Sequence, residues 1–388
     1  SSKNNVNTIS NSYSSTQKIW WQHHIAICCS NRHHIAHKPY PKYAQIMEQT
    51  CWRSPSNIAL VKYWGKHGNQ LPANPSISFT LHNAYTETQI VAHPTSIRGG
   101  LSIDFLFDGE PNEVFANKIR QFLATIVSYF PFLHQYHLQI DSRNSFPHSA
   151  GIASSASSMS ALALCLCSLE QQFNGQEEQN EAFFRKASII ARLGSGSAAR
   201  SVFPAAAVWG RHIDLPNSSD EYAIPFAMHP IFHTYQDAIL IVNRSEKAVS
   251  SRVGHQLMNT HPYAAVRYQQ ANEHFRQLID ILQNGDVEAF VPIVENEALT
   301  LHGLMMNSSP SFILLHPNTL HIIQKIRQFR QETQLPICFT LDAGPNVHIL
   351  YPDAYSYRIV PFIETALLPY CEHRYWIADR VGKGATQL

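Results

Sequence analysis

An α+β fold in two parts is what the sequence predicts, and three observations predict it. The chain has 388 residues, 44% of them hydrophobic, more than one core holds comfortably, since single cores stop growing at about 250–300 residues. Strand-like and helical stretches are mixed without the strict strand–helix–strand repeat of a parallel sheet. A fresh strand at Ala238–Val242 opens a second series of elements after the first has closed.

The elements follow from periodicity. Short apolar or alternating runs at Asn57–Tyr63, Ile77–Leu81, Thr86–Ala92 and Leu101–Phe107 read as strands, and Glu113 to about Tyr129 has the helical spacing of apolar residues. The strand His137–Ile140 leads through a small-residue loop into a strongly apolar helix, Ser154–Phe173, and a second helix, Glu181–Leu193. In the second series, helices near Pro262–Asn284, Asp286–His302 and Asn318–Glu332 precede the strand pair Ile337–Leu341 and Val347–Tyr351, joined by the turn Asp342-Ala-Gly-Pro-Asn346. We expect residues 49–230 to form the first domain and residues 231–388 the second. Residues 1–48, Ser- and Asn-rich and then dense in His and aromatics, read as an extension with poor order at its start.

Charge and cysteine content narrow the function classes. With 29 Lys+Arg against 28 Asp+Glu, the net charge is +1, so no bulk field argues for nucleic acid or an anionic membrane as the main partner. The longest apolar run, near Met159–Leu169, is about eleven residues, short of the roughly 20 that cross a bilayer. Seven cysteines are scattered as Cys28, Cys29, Cys51, Cys165, Cys167, Cys338 and Cys371, a count and spacing that make no disulfide framework and fit a reducing cytosol. The pairs Cys28-Cys29 and His33-His34 lack the spacer of a zinc site, and the first residues lack the pattern of a signal or transit peptide.

Five segments carry residues whose chemistry the fold alone does not explain. Pro147-His-Ser-Ala-Gly151-Ile-Ala-Ser154-Ser155-Ala156-Ser157-Ser158 leads straight into the apolar helix. Small side chains, helical N–H groups and hydroxyls suit a phosphate, although a serine-capped helix packed on a sheet reads the same way. In Asn57-Ile-Ala-Leu-Val-Lys62-Tyr63-Trp64-Gly65-Lys66 an apolar strand suddenly carries a lysine, which needs an anionic partner if it is buried and none if it lies at an edge. Arg192-Leu-Gly-Ser195-Gly-Ser197-Ala-Ala-Arg200-Ser201 sets a Gly-Ser turn beside a guanidinium, a fit for carboxylate or phosphate. Asp342 ends an apolar strand at a tight turn, where a carboxylate is either a turn cap or a general base. Ser250-Ser251-Arg252 adds a further hydroxyl-plus-guanidinium pair.

Taken in order, these segments resemble the GHMP kinase superfamily and, within it, the mevalonate diphosphate decarboxylase family. The likeness runs from about Ser54 to the C-terminus and rests on Pro147–Ala156, Asn57-Ile-Ala-x-x-Lys62-Tyr-Trp-Gly-Lys66, Gly194-Ser-Gly-Ser-Ala-x-Arg200-Ser and Asp342-Ala-Gly-Pro-Asn346. The chain departs from that pattern at Ala199, where the family often has Cys, at Pro204-Ala205 in place of Gly-Gly, and at His255 in place of Met.

The resemblance implies a GHMP-kinase-like two-domain fold: an N-terminal domain like domain 2 of ribosomal protein S5, a C-terminal α/β sandwich, and an active site in the cleft between them. It implies ATP-dependent decarboxylation of (R)-5-diphosphomevalonate to isopentenyl diphosphate, with a mevalonate 3-kinase or a decarboxylase of the monophosphate as the alternative. Asp342, Lys62 and Arg200 would be catalytic. Tyr63, Trp64, Gly65, Lys66, Lys118, Ser195, Gly196, Ser197, Ala198, Ala199, Ser251 and Arg252 would bind the substrate. Gly151, Ala153, Ser154, Ser155 and Asn57 would hold ATP, with Ser155 also on magnesium. The cofactors would be ATP and Mg2+, and the partners a small-molecule substrate and a second copy of the chain, in the cytoplasm, with neither nucleic acid nor membrane.

Overall fold

The computed structural model describes residues 47–95, 100–147, 152–176, 178–244 and 251–388. The expected extension and Gly151 therefore lie outside the described residues, apart from Met47 and Glu48. The first strand, β1 (Glu48–Val61), runs into a small hairpin, β2 (Lys66–His67) with β3 (Leu71–Pro72), and then into β4 (Ser76–Pro94). There follow β5 (Ser102–Phe107), β6 (Glu110–Pro111), α1 (Glu113–Ile126), β7 (Tyr136–Asn144), α2 (Ser154–Phe173), α3 (Glu181–Gly194), the single-turn α4 (Ala198–Ser201), β8 (Ala206–Trp209) and β9 (Ala223–Pro225).

The later elements are β10 (Tyr235–Leu240), α5 (Ser251–Leu257), α6 (Ala264–Asn284), α7 (Val287–Met306), α8 (Pro317–Thr333), β11 (Cys338–Thr340), β12 (Val347–Pro352), β13 (Trp376–Arg380) and β14 (Thr386–Gln387). The first sheet has the order β14–β1–β4–β7–β5–β6, with β8 on β4 and β9 on β8; the second is β11–β12–β10–β13. In the first sheet all neighbours pair antiparallel except β5 with β7, and the second is antiparallel throughout.

Helix starts are set by side-chain caps. Asn112 accepts the Phe115 N–H at 3.0 Å, Asn180 the Phe183 N–H at 3.1 Å, and Asp286 the Ala289 N–H at 2.9 Å, each satisfying a donor that a helix leaves unpaired in its first turn. Helices α2, α4 and α6 start without such a cap, and α2 does so in a strained conformation. Its cap position, Ala153, has a left-handed φ of 44° and offers no side-chain acceptor.

That helix is buried along nearly its whole length. Ala156, Ala161 and Ala163 let it lie close on the sheet, while Leu162, Leu164, Leu166 and Leu169 fill the first core. Its buried hydroxyls are matched from the strands: Ser54 Oγ donates to Ser160 Oγ at 2.7 Å, Trp52 Nε1 to Ser168 Oγ at 2.8 Å, and Thr86 shares a 2.7 Å bond with Ser157. Such matching fixes the register of helix on sheet, because slippage would strand polar groups away from water.

Aromatic packing joins the two sheets. Phe79 of the first stacks on Phe290 at 5.9 Å and meets Phe232 and Tyr235, in a cluster with Ile58, Leu60 and Phe275. A carboxylate completes the join: Asp379 of β13 accepts the N–H groups of His82 and Asn83 at 2.8 Å and of Ala84 at 2.7 Å.

This latch explains a difference from the sequence expectation. Two strands were expected across residues 77–92, but β4 is continuous, because Asp379 satisfies the backbone at the polar step His82-Asn83. Likewise β1 begins well before Asn57, since the polar residues among 48–53 pair with β4 as readily as the apolar ones. The chain's end also returns to the first sheet, where β14 pairs with Trp52 and Arg53.

Candidate functional site

The site is assembled where β1 ends. Buried apolar residues run through Val61, and the next side chain, Lys62, is only 2% exposed. Its ammonium donates to the Ala59 carbonyl at 2.6 Å and lies 3.2 Å from Asp342 Oδ1. Burial pushes the Lys62 amine down, and the Asp342 carboxylate opposes that shift. This settles the choice left open by the sequence: Lys62 is a buried cation with an anionic partner, as such a charge requires.

Asp342 follows Leu341 at the end of β11, with its side chain 27% exposed. Its backbone is pinned from two directions: the His302 Nε2–H donates to its carbonyl at 3.0 Å, as does the Gly344 N–H at 2.7 Å. The result is a carboxylate tied to a buried lysine on one side and reachable from solvent on the other.

A second cation stands behind this pair. Arg200 on α4 is 2% exposed and donates to Ser76, to Ser78 Oγ at 3.0 Å and to Asn57 Oδ1 at 3.2 Å, with its guanidinium 6.0 Å from the Trp209 ring centre. Burial lowers its pKa to about 10, against the pull of Asp342 and Tyr63, so it stays charged at neutral pH. Glu297 holds the strand from behind: it accepts the Lys62 backbone N–H at 2.8 Å and pairs with Arg267 at 2.6 Å and His274 at 2.6 Å.

The Gly-Ser turn before α4 closes one wall. A Cβ on Gly196 would sit 2.8 Å from Trp209 and 2.9 Å from Tyr63 Oη, so only glycine lets the turn approach that ring. Burial pushes the Tyr63 phenol up, and Arg200 and Arg192 pull it back. Ser195, in this turn, shares a 3.2 Å hydrogen bond with Ser155 at the start of α2. The turn and the uncapped helix end thus meet, and α2 directs unpaired N–H groups and its positive dipole end toward that meeting point. Ser154 accepts from Ser158 at 2.8 Å through its carbonyl.

On the opposite wall lie Lys66, half-buried and donating to Gln70 Oε1 at 2.6 Å, and the exposed residues Ser251 and Arg252 of α5. Burial and the Arg252 charge both lower the Lys66 pKa, which places the two cations within electrostatic reach. The structure therefore links Lys62, Asp342, Arg200, Tyr63, Gly196, Ser195 and Ser155 through successive contacts and charges, and Lys66 with Arg252 through theirs.

Other expected contacts take different roles. Asn57 bonds within the Arg200 corner, donating to Ser197 O at 3.1 Å and Ser201 Oγ at 2.8 Å while accepting from Arg200. Ala198 and Ala199 are fully buried, with their N–H groups bonded to Ser195 O and Gly196 O. Trp64 is buried, packed 4.7 Å from the His255 ring. Lys118 is exposed, over the Phe115 ring at 5.5 Å. Gly65 gives its N–H to His255 Nδ1 at 3.0 Å.

Sequence reasoning missed Glu297, Arg267, His274 and His302. The signal was present: Glu295-Asn-Glu297 interrupts the apolar run of α7, and a carboxylate buried in such a helix needs cations.

Comparison with known proteins agrees with this geometry. Residues 54–223 match the family described as diphosphomevalonate decarboxylase-like N-terminal domain, and residues 238–383 the mevalonate 5-diphosphate decarboxylase C-terminal domain. A diphosphomevalonate decarboxylase of Ganoderma lucidum is 29% identical over 328 residues, covering 80% of each chain. Among solved structures, MDDEF in complex with MVAPP, AMPPCP and magnesium superposes with a TM-score of 0.76 at 28% identity, over 88% of this chain and 99% of that one. The mevalonate diphosphate decarboxylase of Staphylococcus aureus does so with a TM-score of 0.76 at 27% identity, over 88% and 98%. With both halves matched and the charged cluster in place, this chain belongs to the mevalonate diphosphate decarboxylase family.

Proposed function

We propose the following division of labour for the family's reaction, in which ATP and (R)-5-diphosphomevalonate give isopentenyl diphosphate, ADP, phosphate and carbon dioxide. The 3-hydroxyl is tertiary and crowded, so it needs orientation and a base. Asp342 accepts its proton as the oxygen attacks the γ-phosphorus, and the bond from that phosphorus to the bridging oxygen breaks to release ADP. Lys62, 3.2 Å from the same carboxylate, orients Asp342 and offsets negative charge as the phosphoryl group moves.

The C3–O bond then breaks, with its electron pair leaving on phosphate. Carbon dioxide departs from C2, and the released pair forms the C2–C3 double bond. Arg200 is the permanent cation facing this step and holds the carboxylate in line. Lys66 and Arg252, with Tyr63, Ser195, Ser197 and Ser251, grip the diphosphate. Asn57 acts as a positioning residue for Arg200.

The start of α2, with Ala153, Ser154 and Ser155, receives the ATP phosphates. No group of three or more His, Cys, Asp or Glu side chains that could hold a metal is present among the described residues. Magnesium would arrive with the nucleotide; the exposed Ser155 hydroxyl would help to hold it, and it would offset phosphate charge.

The observation that carries this reading is the buried Lys62 paired with a half-open Asp342. The test is one incubation with ATP, magnesium and diphosphomevalonate, following ADP, free phosphate and carbon dioxide together. Equal amounts are expected; ADP without carbon dioxide would overturn the reading. Asp342→Asn should cut kcat at least about a hundredfold while nucleotide affinity holds.

The cellular setting and assembly complete the proposal. Residues 49–230 and 231–388 work as two lobes of one enzyme, in the cytoplasm, as a homodimer. Support comes from the free thiols Cys165, Cys167, Cys338 and Cys371, and from exposed Ile313, Leu320 and Tyr357. No helix among the described residues is long and apolar enough to cross a membrane. Light scattering should give twice the chain mass of 43.9 kDa, and a monomer mass would remove the dimer.

A further inference from the structure

His255 lies outside every role assigned above, yet it touches three consecutive residues of the segment that carries Lys66. Its ring packs against Tyr63 with centres 4.2 Å apart and against Trp64 at 4.7 Å, and its Nδ1 accepts the Gly65 N–H at 3.0 Å. The side chain is buried. It sits on α5, one turn after Arg252. Gly254 beside it is pressed so closely on Trp64 that a Cβ would lie 2.3 Å from the indole. The helix is therefore seated on the segment and not merely near it.

We propose that His255 is a positioning residue for the diphosphate grip: by accepting the Gly65 N–H it joins the strand end bearing Lys66 to the helix bearing Arg252, and so sets the spacing of the two cations. The inference rests on the reading of Lys66 and Arg252 as diphosphate ligands. Burial and the Lys66 charge push the imidazole down to about 3, so the ring is neutral at working pH with Nδ1 free to accept and the proton on Nε2. A neutral ring also adds no third charge to compete for the anion. A protonated ring would instead present a donor to the Gly65 N–H and break the join.

The test separates the acceptor from the bulk of the ring. Asparagine places an acceptor near the position of Nδ1, glutamine near that of Nε2, and leucine offers none. His255→Leu should raise KM for diphosphomevalonate about tenfold, the scale set by leaving one buried donor unmet, while kcat and the KM for ATP change less than about threefold. His255→Asn should stay within about threefold of the parent KM, and His255→Gln should resemble leucine.

Since the leucine variant can fail to fold, the asparagine and glutamine variants, both polar and similar in size, are compared after matching their melting curves. The same three variants are titrated with inorganic pyrophosphate by calorimetry, which reads the grip without turnover. Equal pyrophosphate affinity in the asparagine and glutamine variants would overturn the inference, as would a loss of kcat with unchanged KM. A parent enzyme that binds pyrophosphate with the expected ranking of variants but releases no carbon dioxide would overturn the proposed reaction and leave the role of His255 standing.

Discussion

Two buried carboxylates, one behind the site and one between the sheets, are handled in opposite ways. Burial alone would raise the pKa of Glu297, but Arg267, His274 and the Lys62 N–H outweigh it and hold the carboxyl down to about 2. Burial raises Asp379 to about 6, because its partners are backbone N–H groups, those of His82, Asn83 and Arg380 among them, and no cation among the described residues pairs with it. A full positive charge beside a carboxylate outweighs the loss of water; several peptide dipoles do so only in part. The acid that supports Lys62 is therefore fixed as an anion, whereas the acid that latches the sheets can take up a proton.

The largest effect is expected from breaking the ionised cluster. Glu297→Ala leaves Arg267 buried without its anion and the Lys62 N–H unmet, a cost of about 3–5 kcal/mol, measured by urea unfolding; a loss below about 1 kcal/mol would mean that the cluster is not held as described. Asp379→Asn should cost less, about 1–3 kcal/mol, since an amide still accepts at one oxygen but turns a donor toward at least one backbone N–H. Equal losses in the two variants would erase the contrast.

The pH dependence sharpens the comparison through its sign. Glu297 is depressed from 4.5 to about 2, so its contribution is complete above pH 4.5 and is lost as pH falls toward 2. Asp379 is raised from 3.8 to about 6, so its folded state favours the proton: stability from this group is greatest below 3.8 and falls as pH rises to 6. Thermal melts of Asp379→Asn and the parent should draw closer as pH rises between those values and run parallel above them. The smallest effect is local: Ser160→Ala leaves Ser54 without its partner on α2 and should cost about 1 kcal/mol, with KM for ATP rising if helix register matters.

How much of this was legible in the sequence depends on whether a residue's role is local. The bounds of α2 could be read because an apolar run starts sharply after a row of serines. Lys62 and Asp342 could be read because each is a charge that does not belong in its apolar neighbourhood. The first half of β1 could not, since its polar residues earn their strand from a partner far along the chain. The same holds for Asn57, Ala198 and Ala199, which lie in motif positions but face inward; only packing distinguishes a residue that touches a ligand from one that braces a neighbour. His255 stood out as a departure, yet its meaning lies in a hydrogen bond to a residue 190 positions earlier.

Lys62 and Asp342 are separated by 280 positions in the chain. Closing so long a loop is entropically unfavourable and slow compared with forming local helices. Before β11 arrives, Lys62 would sit near Arg200 with no carboxylate between them, an arrangement of like charges that resists burial. The pair thus ties the chemistry to the joining of distant parts of the chain: regained turnover after dilution from denaturant reports that Lys62 and Asp342 have met.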